Sequence, residues 1–224
     1  MKVKILPSLL AADFGHLEEG ARRAEACGAD ELHLDIMDGH LVPNLSMGPA
    51  VVEMARKAVN IPLNVHLMMT NPDQHVQNFV DAGADTVLIH IEAQCNVPEV
   101  LENIKGLGVR CGITLNPDTP ADMVFPVLCI VDEVLCMSVH PGYGGQKFID
   151  SVLPKIRSIR DQANSYDMSS LDIMVDGGIN YDTAVLCAAQ GANEFVAGTF
   201  LYNAEDMTAA TARLREVTAA ALVI

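Results

Sequence analysis

A helix, a glycine and a short apolar strand recur in that order along the chain, and this repeat restricts the fold more than any other feature. Apolar residues at helical spacing run from Phe14 to Cys27, and the run ends at Gly28 before an apolar strand. A glycine after a helix is typical of a helix C-cap. The same order recurs at Gly83-Ala84-Asp85, Gly108-Val109-Arg110 and Gly191-Ala192-Asn193. The chain is therefore built from repeated helix-then-strand units.

The apolar runs predict eight strands, each followed by a helical stretch. They lie near residues 3–7, 31–35, 63–67, 86–90, 110–115, 133–138, 172–175 and 194–197. Buried apolar strands that alternate with helices form parallel sheets. Eight units in 224 residues, without a Pro/Ser-rich linker, favour one domain spanning 1–224 and folded as a closed (β/α)₈ barrel, the TIM barrel. An open doubly wound sheet is the alternative if the strand count is off by one or two.

Charge restricts the class of partner. The formal net charge of −15 argues against nucleic acid and against anionic membranes, because both require a concentrated basic surface. A small phosphorylated substrate remains compatible, since backbone N–H groups can hold a phosphate without net positive charge.

The chain also carries signals about its cellular compartment. The apolar run within residues 1–7 is too short for a signal peptide, and no stretch of about 18 apolar residues occurs. The six cysteines show no C-x-x-C spacing and are predicted to be reduced packing residues. We therefore expect a soluble cytoplasmic protein.

One strand carries an imidazole and a carboxylate. His33 and Asp35 lie two residues apart in the second predicted strand, so they share a face. This pair can hold a divalent metal. On its own, the pattern is equally compatible with a polar pair packed in the core.

The barrel would gather further polar residues, because the carboxyl ends of its strands meet at one rim. The residues predicted at this rim are Ser8, His33, Asp35, His66, His90, Asn116, Ser138, His140 and Asp176. His33, Asp35, His66 and Asp176 arrive there from three different strands. This convergence favours the metal site over the core pair.

Glycines cluster at the ends of the last three strands. Gly142-Tyr143-Gly144-Gly145-Gln146 precedes a helix predicted to begin near Phe148, Gly177-Gly178 follows the seventh strand, and Gly198-Thr199 follows the eighth. Such turns offer backbone N–H donors, and a phosphate site at strands seven and eight is a recurrent barrel feature. Any single pair would indicate only a turn. The stretch from His140 to Gln146 is also long enough to close over a substrate.

Several motifs together resemble the ribulose-phosphate 3-epimerase family, and the match runs from Pro7 to Thr199. The motifs are Pro7-Ser8-Leu9-Leu10-Ala11-Ala12-Asp13-Phe14, His33-Leu34-Asp35-Ile36-Met37-Asp38-Gly39, Val42-Pro43-Asn44, Val65-His66-Leu67-Met68, Asn116-Pro117, Pro141-Gly142-Tyr143-Gly144-Gly145-Gln146 and Val175-Asp176-Gly177-Gly178. The resemblance implies a barrel of the ribulose-phosphate-binding type and an isomerase that interconverts D-ribulose 5-phosphate and D-xylulose 5-phosphate.

The resemblance also implies the roles of individual residues. The family's metal ligands correspond to His33, Asp35, His66 and Asp176, and its two acid/base carboxylates to Asp35 and Asp176. One divalent ion is expected, and zinc, iron, manganese and cobalt all suit this ligand set. Met37, Met68 and Met137 would pack beneath the substrate. The expected substrate site comprises Ser8, His66, Gly142, Tyr143, Gly144, Gly145, Gly177, Gly178, Gly198 and Thr199.

The required chemistry agrees with this set of residues. Inverting a carbon beside a ketone requires removing a weakly acidic proton and returning one to the opposite face through an enediolate. A divalent metal stabilises the developing oxyanion, and two carboxylates on opposite sides move the protons. His90 and Glu92 are either partners that orient a metal ligand or a structural polar pair.

The chain departs from the family pattern at a few positions. His140 stands where asparagine is usual, Tyr143 where phenylalanine is usual, Asn64 where aspartate is common, and Thr199 where serine is common. Phe200-Leu201-Tyr202 also replaces a more usual small-aliphatic-Phe run. These changes leave all four expected ligand positions intact and bear mainly on the choice of substrate.

Three other functions are compatible with a barrel of this kind. A D-allulose 6-phosphate 3-epimerase would use similar chemistry. A phosphosugar aldolase or decarboxylase usually needs an inward lysine at a strand end, whereas Lys57, Lys105 and Lys155 are predicted on helices. A non-catalytic sugar-phosphate-binding barrel would be expected to lack one of the carboxylates. The apolar helices are compatible with a homo-oligomer, and the pathway, pentose phosphate metabolism or carbon fixation, stays open.

Overall fold

The computed structural model describes residues 1–223, and an eight-stranded parallel sheet forms its centre. The strands are β1 (Lys4–Pro7), β2 (Leu32–Met37), β3 (Leu63–Met68), β4 (Thr86–His90), β5 (Arg110–Leu115), β6 (Glu133–Met137), β7 (Asp172–Asp176) and β8 (Glu194–Ala197). Their order around the sheet is β1-β8-β7-β6-β5-β4-β3-β2, so the first strand pairs with the last. A parallel bridge between Ser8 and His33 joins the remaining two edges. The predicted (β/α)₈ barrel is therefore confirmed.

Helices surround the barrel. They are α1 (Leu17–Ala26), α2 (Pro49–Ala58), α3 (Val76–Asp81), α4 (Val97–Gly106), α5 (Leu153–Ser165), α6 (Tyr181–Ala188), α7 (Thr199–Tyr202) and α8 (Met207–Ala221). Across residues 1–223, no helix combines the length and the apolar character that a membrane span requires.

Helix boundaries differ from the sequence prediction at three places. The helix predicted from Phe14 starts with a 3₁₀ turn, Phe14–His16, and becomes α-helical at Leu17. The helix expected near Phe148 begins only at Asp150, as another 3₁₀ turn that leads into α5. After β5 the predicted helical stretch is a 3₁₀ segment, Ala121–Val127, with Pro126 inside it.

The strands alternate their side chains between two cores. On β2, Leu32, Leu34 and Ile36 pack outward against the helices. Their neighbours His33 and Asp35 therefore point into the barrel. A smaller apolar cluster fills the interior, and its members are Leu6, Leu88, Leu135, Met137, Val139, Met174 and Val196.

Charged residues close the end of the barrel where the strands begin. This amino-end cluster consists of Lys4, Glu31, Arg110, Glu133, Asp172 and Glu194. Lys4 Nζ lies 2.5 Å from Glu194 Oε1 and 3.1 Å from Glu31 Oε1. Arg110 Nη2 lies 3.2 Å from Glu133 Oε2 and 2.9 Å from Asp172 Oδ2. The glycine turns lie at the opposite end, so the candidate site opens there.

Candidate metal centre and active site

Three strands, β2, β3 and β7, bring four candidate metal-ligating side chains toward one point inside the barrel. The strand register pairs Asp35 of β2 with His66 of β3. His33 lies two residues before Asp35 on β2, so its side chain also points into the barrel. Asp176, the last residue of β7, reaches the same point from across the barrel. One donor atom from each of His33, Asp35, His66 and Asp176 lies within 4.8 Å of the other three.

Both imidazoles face the same carboxylate oxygen. His33 Nε2 and His66 Nδ1 each lie 3.3 Å from Asp35 Oδ1. The other ring nitrogen of His33, Nδ1, lies 2.8 Å from Asn64 Oδ1. Among the described residues, the buried Nε2 of His33 has no hydrogen-bond partner.

This arrangement fits a divalent cation. Two imidazole nitrogens and two carboxylates form a donor set that suits zinc, iron, manganese or cobalt. A cation among these atoms would pair with the buried Nε2 of His33. It would also offset the Asp35 charge. The geometry therefore supports a divalent metal site.

The residues around Asp35 keep it charged. Burial opposes protonation of His33, but the Asp35 carboxylate outweighs burial and raises the pKa of His33 to about 9. Burial likewise opposes ionisation of Asp35, yet His33 and His66 hold the Asp35 pKa well below its usual range. Burial lowers the pKa of His66 to about 3, so this imidazole is neutral. A bound cation would displace the proton from His33.

Asp176 behaves differently from Asp35. Burial, reinforced by the Asp35 carboxylate, raises the pKa of Asp176 to about 7. Part of the Asp176 side chain faces the cavity. Two carboxyls whose surroundings move their pKa values apart are suited to acid and base roles.

A cavity opens above these groups. It reaches Asp35 and Asp176 at one end and the glycine turns at the other, and Met37, Met68 and Met137 line its apolar wall. His33 and His66 are fully buried and do not line it. The predicted substrate residues that line it are Ser8, Gly142, Tyr143, Gly144, Gly145, Gly177, Gly178, Gly198 and Thr199.

Two of the cavity glycines, Gly177 and Gly178, lie too close to neighbouring residues for a side chain. Gly177 and Gly178 have φ angles of 118° and 64°, in the left-handed region that favours glycine. A Cβ at Gly178 would lie 2.6 Å from the backbone nitrogen of Phe148. A Cβ at Gly177 would lie 2.5 Å from Val139 Cγ2. These two glycines therefore let the loops after β6 and β7 pack together beside the cavity.

The loop from His140 to Gln146 is held by hydrogen bonds to residues 43 and 44 and by hydrogen bonds within the loop. Asn44 Nδ2 donates to the Gly142 carbonyl at 2.8 Å, and the Tyr143 hydroxyl donates to the Pro43 carbonyl at 3.2 Å. Gln146 Nε2 donates to the His140 and Tyr143 carbonyls. Tyr143 stays 58% exposed, so it covers the cavity from outside.

Some residues of the site were not anticipated from the sequence. Leu10, Ala11, Val139, Ile179 and Val196 also line the cavity. The only feature of the sequence that could have indicated these residues is their position within or just after a strand. The bond from the Ser8 hydroxyl to Asp35 Oδ2 was likewise not foreseen, although Ser8 was placed at the rim.

The fold and this donor set define a class of protein: a (β/α)₈-barrel enzyme with a candidate metal centre under a glycine-rich cavity. Comparison with known proteins narrows the class. The model of the ribulose-phosphate 3 epimerase family matches residues 4–202. The ribulose-phosphate 3-epimerase of Bacillus subtilis is 44% identical over 213 residues, which cover 95% of this chain and 98% of that protein. The chain therefore belongs to the ribulose-phosphate 3-epimerase family, a family of isomerases.

A plant relative agrees with this family placement, and two solved structures agree with the fold. The chloroplastic ribulose-5-phosphate-3-epimerase of Arabidopsis thaliana is 42% identical over 204 residues, covering 90% of this chain and 72% of that protein. The structure of KGPDC from Streptococcus mutans matches with a TM-score of 0.71 at 16% identity, covering 98% and 99% of the two chains. Orotidine 5'-phosphate decarboxylase from Pyrococcus horikoshii matches with a TM-score of 0.68 at 14% identity, covering 96% and 99%. At this identity the two structures support the fold alone.

Proposed function

We propose that this protein interconverts D-ribulose 5-phosphate and D-xylulose 5-phosphate by inverting C3. One observation carries the proposal: Asp35 and Asp176 reach the same cavity from β2 and β7. Two strands, β1 and β8, separate them around the barrel. This separation suits two groups that act on opposite faces of one carbon.

The proton transfers balance without an oxidant or reductant. One carboxylate takes the proton from C3, and the electron pair of that C–H bond passes toward the C2 carbonyl to form an enediolate. The other Asp, which begins as the protonated carboxylic acid, then gives its proton to the opposite face of C3 and is left ionised. In the reverse direction the two residues exchange roles.

The surroundings of the two carboxylates support these roles. Asp35 Oδ2 accepts a hydrogen bond from Ser8, while Asp35 Oδ1 faces the two imidazoles. The apolar wall of Met37, Met68 and Met137 would exclude water from the reacting carbon. A divalent ion held by His33, Asp35, His66 and Asp176 would supply Lewis-acid stabilisation of the enediolate oxygens.

The phosphate group is assigned to the glycine end of the cavity. Gly144, Gly145, Gly178, Gly198 and Thr199 line that end, and backbone N–H groups there can hold a phosphate despite the acidic chain. The loop from His140 to Gln146 would then cover the bound sugar.

Proton NMR of the protein with ribulose 5-phosphate in D₂O tests the proposal directly. We expect deuterium to enter C3 while xylulose 5-phosphate appears, with loss of both signals after chelation and recovery after metal is restored. Activity on D-allulose 6-phosphate in place of ribulose 5-phosphate would indicate the sister epimerase. Binding without exchange would indicate a non-catalytic barrel.

The proposed setting is cytoplasmic carbohydrate metabolism, in a homo-oligomer of a one-domain chain. Light scattering coupled to size-exclusion chromatography tests the assembly. A monomer at assay concentration would contradict that part of the proposal and leave the reaction unaffected.

A further inference from the structure

A hydrogen-bond chain leads from the candidate metal ligand His66 to a carboxylate outside the donor set. His66 Nε2 lies 2.9 Å from His90 Nε2, and His90 Nδ1 lies 3.0 Å from Glu92 Oε2. His66 and His90 are fully buried, and their rings are nearly parallel, at 14°. Glu92 lies just beyond the end of β4, with 23% of its side chain exposed.

The hydrogen-bond partners of Glu92 determine which atom donates and which accepts at each step of this series of hydrogen bonds. Glu92 Oε1 accepts from the Asn116 backbone N–H at 2.8 Å and from the Thr119 hydroxyl. The carboxylate is therefore an acceptor at one oxygen, and its other oxygen faces His90. In a neutral His90, the proton must then sit on Nδ1, which leaves a lone pair on Nε2.

The same reasoning extends to His66. Because His90 Nε2 accepts, His66 Nε2 must donate, and His66 Nδ1 then carries a lone pair. That Nδ1 faces Asp35 Oδ1 at 3.3 Å, so two acceptors meet where the donor set converges. A hydrogen bond between these two atoms would require the opposite tautomer of His66, with its proton on Nδ1. A cation would instead interact favourably with both atoms.

We propose that His90 and Glu92 are positioning residues that hold His66 as the Nε2–H tautomer, with Nδ1 free to bind a divalent cation. The inference rests on the proposed metal-dependent function and extends it to two residues outside the donor set. Partners that fix the tautomer of a ligating histidine typically contribute 10- to 100-fold to metal affinity or activity.

The two candidate histidine ligands are held in opposite ways. His33 is held through Nδ1 by Asn64 Oδ1, and Asn64 Nδ2 donates to Glu133 Oε1 at 2.8 Å. Its Nε2 therefore faces the cation position, whereas His66 presents Nδ1.

Glu92→Gln gives a sharp test, because the Asn116 N–H and the Thr119 hydroxyl hold the remaining carbonyl oxygen. The new amide NH₂ then faces His90 Nδ1, which must accept. His90 Nε2–H donates to His66 Nε2, and the proton of His66 moves to Nδ1, where it blocks the cation. The substitution should therefore reverse both tautomers while preserving the shape of the side chain.

Two readouts without sugar test this inference. Long-range ¹H–¹⁵N NMR of the histidines should show His66 as Nε2–H and His90 as Nδ1–H in the wild-type protein, and the reverse in Glu92→Gln. Competition with a chromophoric chelator should show zinc affinity lowered about 10- to 100-fold. Glu102→Gln, an exposed change on α4, should leave both readouts unchanged.

His90→Phe, which keeps an aromatic ring but removes the acceptor of His66, is the second variant and should also weaken zinc binding. Wild-type tautomers and wild-type zinc affinity in a folded Glu92→Gln or His90→Phe protein would overturn the inference. If zinc binding and the tautomers are as expected but the wild-type protein does not epimerise ribulose 5-phosphate, the proposed function is overturned and the inference stands.

Discussion

Asp35 and Asp176 are the same residue type, yet their surroundings move the two carboxyl pKa values in opposite directions. Burial favours the protonated form of both carboxyls. At Asp35 two imidazoles outweigh burial, whereas at Asp176 the negative charge of Asp35 adds to it. Neighbours therefore decide the direction in which each pKa moves.

Asp176→Asn should lower turnover about 10²- to 10⁴-fold, because an amide cannot exchange a proton with C3. Asp35 remains able to act from its own face. In D₂O with zinc added to saturation, which offsets the lost metal donor, the variant should therefore still exchange the C3 proton of one epimer without producing the other. Circular dichroism checks that the fold is retained, and near-wild-type turnover in a folded variant would refute the two-carboxylate mechanism.

Glu133, at the amino end of the barrel, should make the stability of the protein depend on pH. Burial, together with the nearby Glu31 carboxylate, raises the pKa of Glu133 to about 7. Below its unfolded pKa, near 4.5, Glu133 is protonated in both the folded and unfolded states, so no penalty arises. As pH rises toward 7, the unfolded state ionises first, and the wild-type protein loses stability.

Glu133→Gln removes this loss because glutamine does not titrate. Between about pH 4.5 and 7.5, the free energy of unfolding should shift in favour of the variant by on the order of 2 kcal/mol. Urea denaturation at both pH values measures the shift. The exposed change Glu102→Gln should show no comparable difference, and a shift of the opposite sign for Glu133→Gln would contradict the raised pKa.

At the scale of elements, the loops after β6 and β7 pack closely enough to require glycine. Gly178 combines a φ of 64° with a Cβ position 2.6 Å from the Phe148 nitrogen. Gly28, at the opposite end of the barrel, has a φ of 80° but no atom within 4 Å of its Cβ position. Substitutions at Gly178 and Gly28 therefore distinguish the effect of steric contact from the effect of backbone strain.

Gly178→Ala should push the two loops apart and lower kcat/KM at least about tenfold, which corresponds to about 1.4 kcal/mol. Gly28→Ala should cost about 1–2 kcal/mol of stability through its positive φ, with unchanged kinetics. Steady-state assays and urea denaturation of both variants check this contrast. Equal kinetic effects in the two variants would show that close packing of the loops is not the cause.

At the scale of the whole molecule, a cation held by His33, Asp35, His66 and Asp176 would link β2, β3 and β7. A ligand that binds only the folded state stabilises it, by about 2.7 kcal/mol at a concentration 100-fold above its dissociation constant. For a chain of this size, that corresponds to roughly 5–10 °C in Tm.

Zinc should therefore raise Tm by roughly that amount, and chelation should reverse the rise. Asp176→Asn, which replaces one donor, should show a much smaller response. A scan of thermal unfolding with and without zinc measures both proteins. An equal rise in the variant would place the bound zinc outside the four-residue donor set.

Much of this architecture could be predicted from the sequence. Strands buried on both faces appear as apolar runs, and the glycines mark where helices end, so the predicted strands match the observed ones within two residues at either end. The helical stretch predicted after β5 is present as the 3₁₀ segment Ala121–Val127. The convergence of His33, Asp35, His66 and Asp176 followed from strand ends that share one rim.

The sequence by itself determined the order of the elements, the alternation of side chains on each strand and the residue types at the rim, because these depend on local periodicity. Only the tertiary structure decided that Asn64 links His33 to Glu133 and that His90 links His66 to Glu92. It also decided that Asn44 and Pro43 fasten the loop over the cavity. These contacts join residues distant in sequence, and their partners depend on strand register and barrel closure, which no local pattern encodes.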